Sequence, residues 1–178
     1  MTSKGIALNV ITYTSLIHGV CKLGERKEAA RLFDEMVSKG ILPNLHTFNV
    51  LIDTFCTEGL VGKAKNMVEM MTLGDIEPNT VTHNSPMDGY CLRGEMDEAK
   101  EVFDLMLSKG STIDARSYNV LINGYCKHKG VDEAQMLVLE MCDMGVVPDT
   151  VTYNTLMDGF CKMGRIQDAQ KWWRGVSL

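Results

Sequence analysis

Residues 151–164 read Val-Thr-Tyr-Asn-Thr-Leu-Met-Asp-Gly-Phe-Cys-Lys-Met-Gly, and the pattern of this stretch returns along the chain at a fixed interval. Its Thr152-Tyr153 has in-phase counterparts in Thr12-Tyr13, Thr47-Phe48, Thr82-His83 and Ser117-Tyr118. Its cysteine belongs to the series Cys21, Cys56, Cys91, Cys126, Cys161, spaced 35 residues apart, with only Cys142 out of phase. A fixed period of this size marks stacked supersecondary units, each burying little alone and completing its core against its neighbours.

Within one period the apolar residues recur at helical spacing twice. Tyr13, Leu16, Ile17 and Val20 form one stripe, matched by Phe48, Leu51, Ile52, Phe55, by Tyr118, Leu121, Ile122, Tyr125, and by Tyr153, Leu156, Met157, Phe160. Ala29, Leu32, Phe33 and Met36 form a second, matched by Ala64, Met67, Val68, Met71, by Ala99, Val102, Phe103, Met106, and by Ala134, Leu137, Val138, Met141. The alanine that opens it recurs in all five units and marks the close approach of paired helices. The hydroxyls of Thr12, Thr47, Thr82, Ser117 and Thr152 stand just before each first stripe and are expected to cap it. Gly40, Gly110 and Gly145, with Pro43, Pro78 and Pro148, end each second helix.

The fold expected is all-α: a right-handed α-solenoid superhelix of antiparallel helix-turn-helix repeats of 35 residues. Residues 1–9 are the tail of a preceding repeat, since Ser3-Lys4-Gly5-Ile6 parallels Ser38-Lys39-Gly40-Ile41. Repeats 1 to 4 span 10–44, 45–79, 80–114 and 115–149, a partial repeat 5 spans 150–178, and all form a single repeat domain.

Composition narrows the function. The chain has 178 residues and a formal net charge of −5, so any nucleic-acid site is local rather than a property of the whole surface. No stretch approaches the roughly 18 consecutive apolar residues of a membrane-spanning helix. The cysteines lack zinc spacing and read as small thiols buried once per unit, at home in a reducing compartment. Four scattered histidines (His18, His46, His83, His128) form no acid–base or metal arrangement, so no metal, cofactor or catalytic residue is expected.

Two polar sets recur in phase outside the stripes. One follows the aromatic: Thr14, Asn49, Asn84, Asn119, Asn154. The other closes each unit: Asn9, Asn44, Asn79, Asp114, Asp149. Asn, Asp and Thr at such positions serve helix caps and turns equally well. One hydrogen-bonding pair per repeat along a groove is also how helical repeats read one base each.

Residues 151–164, and likewise 10–44 (VITYTSLIHGVCKLGERKEAARLFDEMVSKGILPN), resemble the pentatricopeptide repeat, P-type, including fertility-restorer-like members, and the likeness runs over essentially the whole chain. The resemblance implies sequence-specific binding of single-stranded RNA in a plant organelle, the mitochondrion with the chloroplast as alternative. No transit peptide of the amphipathic, Arg-rich kind is expected within these residues. It further implies that the residue after the aromatic and the last residue of the unit select the base together. Thr14/Asn44 then gives A, Asn49/Asn79 gives C, and Asn84/Asp114 and Asn119/Asp149 each give U. Asn154, without its partner, gives a pyrimidine, and the site reads 5′-A-C-U-U-(C/U)-3′. Ile11, His46, Val81, Arg116 and Val151 correspond to the family's base-sandwiching positions, with His46 and Arg116 departing from its usual Val or Ile. Lys22, Lys127 and Lys162 match a phosphate-contacting lysine, a series broken at Thr57 and Leu92.

The third repeat is the weakest match. Beyond it, in the fourth repeat, Lys129 stands where glycine is expected; within it Pro86 replaces leucine, just past the first turn, His83 replaces the aromatic, and Ile113 stands where proline is expected. This repeat is expected to open most readily. Trp172 and Trp173 fill apolar positions of the last helix and leave apolar surface for self-association through uncapped ends. The competing class is a helical scaffold that takes a peptide, mildly favoured by the negative charge; an RNA-processing enzyme is disfavoured because every residue is used by repeats.

Overall fold

The computed structural model describes residues 8–108 and 113–176; the parallel drawn at Ser3–Ile6, and Gly110, lie outside them. Among the described residues ten α-helices run in order: α1 (Val10–Lys22), α2 (Arg26–Ser38), α3 (Leu45–Thr57), α4 (Val61–Leu73), α5 (Thr80–Arg93), α6 (Met96–Ser108), α7 (Ala115–Lys127), α8 (Val131–Asp143), α9 (Thr150–Lys162) and α10 (Ile166–Val176). No strand occurs among the described residues, and no described helix is long and apolar enough to cross a membrane. The helices group into two compact units, Met1–Thr82 and His83–Leu178.

Both stripes face inward as the periodicity implies. In the first unit Tyr13, Ile17, Ala29, Phe33, Met36, Phe48, Leu51, Ile52, Ala64 and Met71 share one core. In the second, Met87, Ala99, Phe103, Tyr118, Leu121, Ile122, Ala134, Val138, Leu156 and Phe160 share another. All five phased alanines are buried, and the second-helix aromatic of one repeat meets the first-helix aromatic of the next. Phe33 contacts Phe48 at 5.9 Å and Phe103 contacts Tyr118 at 4.9 Å between ring centroids, both edge-on, the arrangement that ring quadrupoles favour. Leu16 departs from its stripe. It is exposed while Leu51, Leu121 and Leu156 are buried, because no helix precedes α1 among the described residues to cover that face.

Two of the phased cysteines have a steric role. A Cβ placed on Gly124 would lie 2.6 Å from the Cys91 sulfur, and one on Gly159 the same distance from that of Cys126. Each thiol thus fills the space left by a missing side chain in the first helix of the following repeat. Burial pushes the thiol pKa of Cys91 up to about 12 and that of Cys126 to about 11, so both are unreactive thiols at neutral pH. Cys56 is buried too, but Cys21 is half-buried, and Cys161, read as a buried thiol, is exposed on α9.

The turns inside the hairpins need a left-handed residue. Gly24, Gly59, Gly94 and Gly164 supply it with φ between 71° and 77°. In the fourth repeat Lys129 takes the same conformation at φ 67°, as does Asp75 at φ 56° where Gly40 and Gly145 stand in other repeats. A side chain in that region costs about 1–2 kcal/mol, so both are strained substitutes.

A second in-phase pairing joins the helices of a hairpin. The Tyr13 hydroxyl donates to Glu35 Oε1 at 2.8 Å, and Tyr118 to Glu140 Oε1 at 3.3 Å. The second repeat places Phe48 and Met70 at these positions, so the aromatic's hydroxyl and its acceptor are lost together.

Candidate nucleic-acid interface

The caps differ from the sequence expectation. The N-cap residues are Asn9, Asn44, Asp114 and Asp149, each in extended backbone, and the phased hydroxyl residue is the third helical residue. Asn79 does the same for α5, accepting the Thr82 N–H at 3.0 Å. Thr12, Thr47, Thr82, Ser117 and Thr152 are therefore not the caps. Both residue types cap well, and the short carboxamide or carboxylate three residues earlier reaches the free N–H first. In α3 and α9 the threonine hydroxyl accepts from the cap's own N–H, closing a capping box. The start of each helix shifts accordingly. The residue after the aromatic is the fifth of its helix rather than the second, and Pro86 is the seventh residue of α5, well inside it.

This register brings two pairs from the two polar sets together. Asn119 Nδ2 donates to Asp149 Oδ1 at 3.2 Å, and Asn49 Nδ2 to Asn79 Oδ1 at 3.4 Å. In these two pairs the fifth residue of one repeat's first helix meets the cap of the next repeat's first helix. Asn49, Asn119 and Asn154 lie toward the surface, and Asn44, Asn79, Asp114 and Asp149 are exposed. Thr14 and Asn84 are not at the surface, being 3 % and 4 % exposed. Thr14 bonds the Thr47 hydroxyl at 2.7 Å. Asn84 has no partner for either side-chain polar atom.

The cap bonds decide what each pair shows to a ligand. In Asn44 and Asn79, Oδ1 accepts the backbone N–H of Thr47 and Thr82, each at 3.0 Å, so Nδ2 is the amide's remaining donor. In Asp114 and Asp149, Oδ1 accepts the N–H of Ser117 and Thr152, each at 2.9 Å, so Oδ2 is the carboxylate oxygen that these cap bonds do not use. The Thr152 N–H, ahead of the Asn119 and Thr152 side chains, holds the Asp149 carboxyl below its ordinary pKa, so it is ionised at neutral pH.

Ile11, His46, Val81, Arg116 and Val151 are the second residues of α1, α3, α5, α7 and α9, and all are exposed. Of the three phased lysines, Lys22 and Lys127 are exposed in the last turns of α1 and α7. Lys162 instead pairs with Asp158 at 2.6 Å, one turn back on α9, so a phosphate there must compete with a carboxylate. Among the described residues no group of His, Cys, Asp and Glu could hold a metal ion.

The PPR repeat family model matches residues 8–57, 45–92, 78–127, 113–162 and 148–174. Among solved structures, the pentatricopeptide repeat protein PPR10 from maize is 24% identical over 95% of this chain, with a TM-score of 0.82. PPR10 in complex with an 18-nt psaJ RNA element gives a TM-score of 0.85, again at 24% identity over 95% of this chain. The PPR domain of Arabidopsis thaliana protein-only RNase P 1 in complex with tRNA is 20% identical over 92% of this chain and 88% of its own, with a TM-score of 0.68. The chain spans 24% and 25% of the length of the two PPR10 chains. No curated protein matches it significantly. The repeats, their hairpins and these likenesses agree on one conclusion: the chain belongs to the pentatricopeptide (PPR) repeat family.

Proposed function

We propose that the chain binds single-stranded RNA one base per repeat, along 5′-A-C-U-U-(C/U)-3′, without catalysis. The observation that carries this is the contact of Asn119 Nδ2 with Asp149 Oδ1 at 3.2 Å: two side chains from successive repeats stand close enough to meet one nucleobase. The chemistry of the caps supports the assignment. The remaining amide donor, as on Asn44 and Asn79, complements the ring-nitrogen acceptor on the pairing edge of adenine and cytosine. The remaining carboxylate oxygen, as on Asp114 and Asp149, complements the ring N–H of uracil. The exposed residues Ile11, His46, Val81, Arg116 and Val151 offer flat or apolar surface for bases to stack on.

RNA complexes of two proteins with similar folds are consistent with this reading. Each correct base is worth about 1–3 kcal/mol. Five bases therefore give weak to moderate affinity, and further repeats or a partner would be needed to single out a transcript. We place the biological role in organelle RNA stability, processing or translation, in the mitochondrion ahead of the chloroplast, on the family resemblance. Selection from a randomised RNA pool tests the reading. Enrichment of the five-base tract above is expected; a pool that emerges unenriched overturns it.

A further inference from the structure

We infer that Thr82 and Thr152 are positioning residues for base selection, each fixing the selecting amide of the preceding repeat, and that the Asn84 position discriminates least because Ser117 does not do so. The inference rests on the RNA reading above and deepens it.

The Thr82 hydroxyl donates to Asn49 Oδ1 at 2.6 Å, and the Thr152 hydroxyl to Asn119 Oδ1 at 2.7 Å. Each hydroxyl has one proton, and the alternative acceptor, the cap's own Oδ1, is farther at 3.0 Å in both cases. The selecting amide is thus held at both ends. Its Oδ1 takes the threonine proton and its Nδ2 is drawn to the cap oxygen. Turning the amide over would set its oxygen against an oxygen already committed as an acceptor, so the arrangement has one polarity. A side-chain amide carries a donor and an acceptor of similar shape, and it distinguishes bases only if its orientation is decided before the base arrives.

The third repeat lacks this hold. The Ser117 hydroxyl donates to Asp114 Oδ1 at 3.1 Å, and Asn84 Oδ1 and Nδ2 are both unpartnered at 4 % exposure. Serine has no γ-methyl, so its χ1 lacks the restriction that branching places on threonine. Pro86 adds to the difference, because it removes a helical N–H within the turn that carries Asn84. Asn84 and Asp114 are the same residue types as Asn119 and Asp149, so the pair alone does not separate the two positions; the buttress does.

The test measures affinities of the full chain for RNAs that differ at one position, U against C. With Thr152→Val, discrimination at the fourth base is expected to fall roughly tenfold, the worth of one hydrogen bond of about 1.4 kcal/mol. Discrimination at the second base is expected to stay unchanged, which a general loss of structure would not allow. With Ser117→Thr, discrimination at the third base is expected to rise. Undiminished preference at the fourth base in Thr152→Val, or an equal fall at the second, overturns the inference while leaving RNA reading intact; so does a third base unaffected by Ser117→Thr. Absence of any base preference in the unaltered chain overturns the RNA reading itself, and this inference with it.

Discussion

The third and fourth positions of the array carry the same pair in the same phase, Asn84 with Asp114 and Asn119 with Asp149, and only the fourth closes. Asn119 is held between Thr152 and Asp149, whereas Asn84 is buried with nothing to bond. Two residues outside the pair account for the difference. Ser117 replaces the threonine, and Pro86 replaces the leucine that sits buried at 51, 121 and 156. A two-residue description of a repeat is therefore incomplete: the cap decides which atom is left over, and the third helical residue decides whether its neighbour is held.

The largest effect that would sharpen this comparison is expected from Pro86→Leu. An interior proline costs a helix about 3 kcal/mol. Restoring the leucine should raise urea stability by up to that amount and slow amide exchange in α5 toward that of α9. Exchange in α5 already slower than in α9 in the unaltered chain would break the comparison. Next comes one substitution made twice. Asn84→Leu should be neutral or stabilising by about 1 kcal/mol, since a buried polar group without a partner is removed; Asn119→Leu should cost about 1 kcal/mol in lost hydrogen bonds. Equal losses at the two sites would show that Asn84 is satisfied in solution.

A smaller gain, about 1 kcal/mol, is expected from Lys129→Gly, which relieves a left-handed lysine within the fourth repeat. Thermal unfolding would show it, and no gain would mean that the turn relaxes elsewhere. The smallest effect is on pH. The Asp149 carboxyl lies below its ordinary pKa, so the contribution of its cap is complete above about pH 4, the range of an unfolded aspartate. It is lost as pH falls through the lower folded value. Helix content of α9 followed by NMR should hold steady from neutral pH down to about 5, and a loss above that range would contradict it.

Much of the architecture was legible because a repeat states its pattern five times. Cys21 to Cys161 and the two apolar stripes were sufficient to place ten helices in hairpins. The helix starts differ from the sequence expectation because Asn44 and Thr47 are both good caps, and only the backbone at Asn44 shows which one ends the extended segment. The coupling of Tyr13 with Glu35 and Tyr118 with Glu140, absent together in Phe48 and Met70, is carried by the sequence as a paired change 22 residues apart. The same holds for the glycines at 124 and 159, whose spacing from the cysteines of the preceding repeat carries the close approach. The burial of Thr14 and Asn84 was not legible. Both have the residue type of their set, and what covers a side chain depends on packing that residue type does not encode.

The central claim is that the remaining atom of the cap chooses the base, and Asp149→Asn tests it most directly. The substitution keeps the cap, since asparagine already fills that role at Asn79, and exchanges a remaining acceptor for a remaining donor. Affinities for RNAs with U or C at the fourth position should reverse their order, by roughly tenfold or more for a base contact of about 1–3 kcal/mol, with the second and third positions unaltered. A preference for U that survives the exchange, or one that weakens equally at every position, would contradict the account.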